Sequence, residues 1–192
     1  MIWSTVVLTI AGTAVYGYNF VKVRFFPQAG NKNMKAVIFD LGNVLVNYDG
    51  QDTFSAISEL AGVSLEELFA HYQRHEHAFG TGELGGHDYY QKLKEAFSLS
   101  ASYNMFTIAF CRNQQRHEMA LAFARDLQTR PNVTVGIISN TNEVHANWLH
   151  ANLPELTQFD SVLLSNEVGL LKPDPAIYRL SLNQLNVAPA AA

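Results

Sequence analysis

From residue 34 onward, short apolar runs alternate with stretches of helical period. Ala36-Val37-Ile38-Phe39 is continuously apolar, the pattern of a strand buried on both faces of a parallel sheet. It ends at Asp40, and Gly42 and Asn43 follow as turn formers. A second run, Val133–Ile138, comes after Pro131-Asn132 and ends at Ser139-Asn140; a third, Ser161–Leu164, ends at Ser165-Asn166. Helical patterns lie between them, Glu118–Leu127 before the second run and Asn142–Leu153 before the third. This alternation predicts an α/β domain with a parallel sheet.

Between Asp49 and about Asn113 the strand pattern is missing. Ser64-Leu65-Glu66-Glu67 is a capping box that opens a helix to about Arg74. Asp88 is placed to cap a second helix through Phe97, and Ser100–Arg112 reads as a third. Residues 49–113 therefore form a helical insert between strands one and two. Its position, directly after the polar tip of a strand, is that of a lid.

Composition narrows the classes. A chain of 192 residues with 48% hydrophobic side chains is too apolar for disorder and has room for one ordinary domain. A net charge of −4 argues against a nucleic-acid binder that works through phosphate contacts. A single cysteine, Cys111, forms no internal disulfide and no thiolate zinc site, and suits a reducing, cytoplasmic setting.

Residues 1–33 stand apart, with Lys22, Arg24 and Lys32 and no acidic side chain. Met1 to Val21 is uncharged and long enough to span a bilayer, although Ser4, Thr5, Thr9, Gly12, Thr13, Gly17 and Asn19 interrupt it. The basic residues follow the apolar run, the reverse of a secretory signal. As an anchor it would keep the rest of the chain on the cytoplasmic side. The favoured reading is an adventitious extension, with the compact domain starting at Met34.

Ligands of open α/β sheets gather at the carboxyl ends of the strands. Here those ends offer Asp40, then Ser139 and Asn140, and Lys172 in the loop after the third strand. Singly, each reads as a turn, a cap or a surface lysine. Together they describe a phosphate pocket, with Lys172 and backbone donors holding anionic oxygens and Asp40 placed to attack phosphorus or bind a cation.

Met34–Tyr48 (MKAVIFDLGNVLVNY) resembles the opening motif of the haloacid-dehalogenase-like (HAD) hydrolases. Ile137–Asn142 is similar to the second motif, and Gly169–Pro175 to the third. The form is most similar to the branch that contains glucose-1-phosphate phosphatases.

The resemblance implies a Rossmann-like core from residues 34–48 and 114–192, with residues 49–113 as the cap. It implies a phosphatase acting on a small phosphorylated metabolite such as a sugar phosphate. Asp40 would be the nucleophile and Lys172 the second catalytic group. Asn43, Ser139 and Asn140 would bind substrate. Magnesium would sit on Asp40 and the carbonyl of Gly42.

Two departures from the pattern matter. Gly42 stands where most members place a second Asp that protonates the leaving group. That favours a leaving group needing little protonation, or an acid from the cap, where His75, His77 and His87 lie. The fourth motif, an acidic pair that completes the magnesium site, does not follow Val187. The domain thus reads as cut short, with an incomplete metal site, little or no phosphatase activity at millimolar magnesium and the Asp40 strand at an unpaired edge. The alternatives are a 2-haloacid dehalogenase, which uses the same Asp on carbon without metal, and an inactive HAD-fold binding protein.

Overall fold

The computed structural model describes residues 27–28 and 31–187, with side chains from Ala36 onward. In chain order the elements are β1 (Pro27–Gln28), β2 (Asn31–Phe39), β3 (Val46–Asn47), α1 (Gly50–Ala61), α2 (Leu65–Thr81), α3 (Gly86–Phe97) and α4 (Tyr103–Cys111). Then come β4 (Gln115–Arg116), α5 (Glu118–Gln128), β5 (Val133–Ser139), α6 (Glu143–Asn152), a 3-10 turn at Pro154–Gln158, β6 (Ser161–Leu164), α7 (Ser165–Val168) and α8 (Pro175–Gln184). The uncharged run 1–21 lies outside the described residues. Among the described residues no helix is long and apolar enough to cross a membrane.

The main sheet has the order β1-β2-β5-β6, and its three longer strands are parallel. Val37, Val135 and Ile137 are wholly buried, as expected of strands covered on both faces. The register sets Phe39 opposite Ile137 and Ser139 opposite Leu164. The polar residues that follow each strand therefore leave the sheet along one edge.

The unpaired edge expected for the Asp40 strand needs correcting near its start. There β1 folds back antiparallel, with Pro27 opposite Lys35 and Gln28 opposite Asn31. That pairing stops at Lys35. Beside Ala36–Phe39, β5 is the strand partner among the described residues.

The helical segment differs in detail from its sequence pattern. Helix α2 has its capping box at Ser64 but continues past Arg74 to Thr81, where Gly82 takes a left-handed φ of 79° and ends it. Helix α3 starts at Gly86 with Gly85 as its N-cap, so Asp88 lies in the first turn instead of at the cap. A carboxylate there complements the helix dipole. Ser102 caps α4 through the N–H of Met105. Helix α1 is capped by Asp49, which accepts from Gln51 and Asp52 N–H.

Two large apolar clusters result. One joins Val37, Phe39, Leu121, Val135, Ile137 and Leu149 around the sheet. The other lies in the helical segment around Leu68, Phe79, Tyr89, Leu93, Phe106 and Phe110. The chain passes between them along an antiparallel pair, β3 with β4, Val46 opposite Arg116. Arg116 braces this stem: its guanidinium reaches buried Glu155 at 2.6 Å and Glu118 at 2.6 Å, and donates to the carbonyl of Asn152.

Candidate active site

The parallel register brings the first and third motifs into contact. Lys172 Nζ lies 2.6 Å from Asp40 Oδ2, and the two side chains are only 20% and 22% exposed. The same ammonium donates to the carbonyl of Ile138 at 3.2 Å. Asp40 Oδ1 accepts the N–H of Leu41 at 2.7 Å. The carboxylate is thus oriented by one backbone donor and one cation at the mouth of the sheet.

The loop after Asp40 is wound tightly. The carbonyl of Leu41 accepts from Val44, Leu45 and Val46, and Asn43 N–H donates to the carbonyl of Val46 at 2.7 Å. Asn43 sits at a positive φ of 57°, a conformation Asn tolerates better than most residues. Its Oδ1 accepts the N–H of Tyr48 at 2.9 Å. A Cβ at Gly42 would meet nothing within 4 Å, so there is open space at this position.

At the second strand end, Ser139 is 4% exposed. Its one bond, to the carbonyl of Asn140, is long at 3.5 Å, which leaves the hydroxyl ready for a better partner. Asn140 is engaged on both sides of its amide. Nδ2 donates to the carbonyl of Lys172 at 2.9 Å, and Oδ1 accepts the N–H of Lys172 at 2.7 Å.

Ser165, absent from the sequence-derived set, links this edge to the helical segment. Its hydroxyl donates to the carbonyl of Gly80 at 2.7 Å and accepts the N–H of Thr141 at 2.9 Å. Nearby, Gly82 comes so close that a Cβ there would lie 2.0 Å from the carbonyl oxygen of Asn166. Glu143 accepts the N–H of Gly86 across the same seam. The partners of Ser165 and Glu143 lie far away in sequence, so no local spacing marks either residue.

The histidines named as possible acids pack inside the helical segment or face outward. The His75 ring lies against His71 and Tyr89, and burial holds it below its usual range. His87 lies on Tyr90 and Tyr103, and His77 is exposed. His145 is buried between Tyr48 and Phe110, with Nε2 3.1 Å from the carbonyl of Phe110. Burial pushes it down to about 4, so it is neutral at physiological pH. Burial also raises the Cys111 thiol to about 12, which removes it as a nucleophile.

Residues 34–192 match the haloacid dehalogenase-like hydrolase family. The chain belongs to that family. A HAD-family enzyme of Bacteroides thetaiotaomicron is 22% identical, with a TM-score of 0.70 over 80% of this chain and 79% of its own. A structure of the same enzyme with magnesium and inorganic phosphate bound is 19% identical, with a TM-score of 0.69 over 80% of each chain. A predicted HAD-like hydrolase of Porphyromonas gingivalis is 20% identical, with a TM-score of 0.64 over 81% of this chain and 78% of its own.

At these identities the likeness establishes the fold. The drimenol cyclase of Aspergillus calidoustus is 26% identical over 157 residues, which are 80% of this chain but 28% of the cyclase. The chain thus spans little more than a quarter of the curated relative it matches.

Proposed function

We propose that this chain carries a phosphomonoesterase site in which Asp40 is the nucleophile and a small phosphorylated metabolite, such as a sugar phosphate, is the substrate. The observation that carries the reading is the Lys172 ammonium 2.6 Å from the Asp40 carboxylate at the carboxyl end of a parallel sheet. A cation there offsets the repulsion between an anionic nucleophile and an anionic phosphate, the main electrostatic obstacle to the reaction.

An Asp40 oxygen attacks phosphorus, and the ester P–O bond breaks as the new one forms. The leaving oxygen takes its proton from water, since Gly42 has no side chain to supply one. Water then attacks the aspartyl-phosphate, releasing inorganic phosphate and restoring Asp40. Lys172 and the Ser139 hydroxyl hold the non-bridging oxygens through both steps, with Asn43 and Asn140 flanking them. Residues 34–48 and 114–192 form the catalytic core, and residues 49–113 act as a cap that excludes bulk water. The single cysteine, Cys111, suits a reducing, cytoplasmic setting.

Magnesium accompanies phosphate in the Bacteroides relative. The donors that would hold such an ion here are the Asp40 carboxylate and the Gly42 carbonyl. Among the described residues, no three His, Cys, Asp or Glu side chains cluster as metal ligands. Magnesium commonly takes one or two carboxylates and fills its remaining positions with water and phosphate oxygens, so these two donors suit one side of such an ion. When bound, the ion neutralises charge on the phosphate.

The test is release of phosphate from glucose 1-phosphate and from an aryl phosphate, with and without magnesium. Asp40→Asn should reduce release to background, because an amide forms no acyl phosphate, while circular dichroism remains unchanged. Turnover by Asp40→Asn at the wild-type rate would overturn the reading.

A further inference from the structure

The Asn140 amide is placed unusually for a group meant to touch substrate. Its two polar ends bond to the two backbone groups of one residue, the N–H and the carbonyl of Lys172. Two such bonds, at 2.7 and 2.9 Å, fix the peptide planes on either side of the Lys172 Cα. From that anchor the lysine side chain runs back to the sheet. Its ammonium meets the carbonyl of Ile138 at 3.2 Å and Asp40 at 2.6 Å. Lysine is a compact charge on a flexible stem, so its head stays in place only if its backbone does.

The loop that carries Lys172 is also held on either side of the lysine, where Leu170 packs against Ile138, Leu163 and Ile177. The backbone bond from the N–H of Asp174 to the carbonyl of Leu171 closes the loop around Lys172, while the lysine's own N–H and carbonyl go to Asn140. Asn140 directly follows Ser139, the last residue of β5. The clamp therefore ties the lysine loop to the rigid end of a central strand, one residue from the hydroxyl that would face the same phosphate.

We infer that Asn140 is a positioning residue: its side chain sets the place of Lys172 and does not itself contact substrate. The inference rests on the phosphoryl-transfer reading of Asp40 and Lys172 and gives Asn140 a different task from substrate binding. Its carboxamide is the group that suits the task, since it presents a donor and an acceptor side by side. Asp would keep the acceptor but set a carboxylate against the Lys172 carbonyl, and Ala would lose both bonds.

Two measurements on the full chain test this. The first is a crystal structure of Asn140→Ala, in which the contact between Lys172 and Asp40 should be lost or lengthened to solvent-bridged distance. The second is a double-mutant cycle on phosphate release from glucose 1-phosphate, using Asn140→Ala, Lys172→Ala and the pair. Lys172→Ala should lower kcat by about 100- to 1,000-fold, and Asn140→Ala by about 10- to 100-fold. The double variant should be no slower than Lys172→Ala alone.

A substrate contact made by Asn140 would instead multiply the two losses and raise KM separately. Multiplied losses, or a Lys172–Asp40 contact that survives in the Asn140→Ala crystal, would overturn the inference. Full activity of Lys172→Ala would sink the phosphatase reading, while a displaced lysine in the Asn140→Ala crystal would still uphold the clamp.

Discussion

At the strand ends, Lys172 is held by Asn140 at its backbone and by Ile138 and Asp40 at its ammonium. In the interior of the helical segment, His71 is 3% exposed and, among the described residues, its Nδ1 has no hydrogen-bond partner. It is packed instead by the rings of His75, Tyr89 and Phe97. Burial, with the charges of His75 and Arg74 nearby, pushes it down to about 4. One region pairs its polar groups across long sequence distances and so fixes their geometry. Around His71, aromatic rings fill the volume and burial keeps the imidazole neutral. Chemistry belongs to the first kind of environment, because charge there is held in place instead of suppressed.

The contrast predicts where each region is fragile. Phe79→Ala, in the centre of the helical cluster and stacked on Tyr89 at 4.5 Å, should have the largest effect on folding. A loss of about 3–5 kcal/mol is expected from the lost apolar burial together with the cavity left behind. Urea unfolding would measure it, and comparable stability of the variant would show that the aromatic cluster is loosely packed.

Acid comes next. His71 and His145 are held near 4 in the fold against 6.5 when unfolded, so the unfolded chain takes up protons first as pH falls. Their stabilisation is complete above pH 6.5 and is lost as pH drops towards 4. The melting temperature should therefore be level above pH 7 and decline below 6.5. Replacing His71 with Leu should flatten part of that decline; an unchanged slope would assign it elsewhere.

Gly82→Ala should be the smallest of the three, about 1–3 kcal/mol, through a strained positive φ and a Cβ pressed on the Asn166 carbonyl. Calorimetry of the variant would read it. Unchanged stability would mean that the seam between the two regions gives way easily.

The strands were legible because their apolar runs are short, continuous and punctuated by polar tips. Ser161–Leu164 is a strand over the predicted residues, and Val133–Ile138 is extended only by Ser139. Helix ends were harder to read. Asp88 looks like a cap, yet the cap lies three residues earlier at Gly85, where Gly85 and Gly86 admit Glu143 and Val144 of α6.

The four polar residues at the strand ends could be named from their positions alone. Their connections could not, since Asn140 and Lys172 meet only after β5 and β6 pair. The short pair of β3 and β4 was also invisible. Two residues on each side carry no periodicity, and the pairing depends on where the helical segment returns to the core.

Helix α3 has no side-chain cap of its own, because Gly85 offers none, and the carboxylate on the N–H of Gly86 belongs to Glu143 of α6. One of its end bonds is therefore supplied by the other half of the molecule. If the two halves part, the first turn of α3 loses that bond and frays. Amide exchange at Gly86 would then speed up whenever the seam opens, even while the rest of the helix stays protected. That single backbone proton is a built-in clock for opening, readable without any substrate or label.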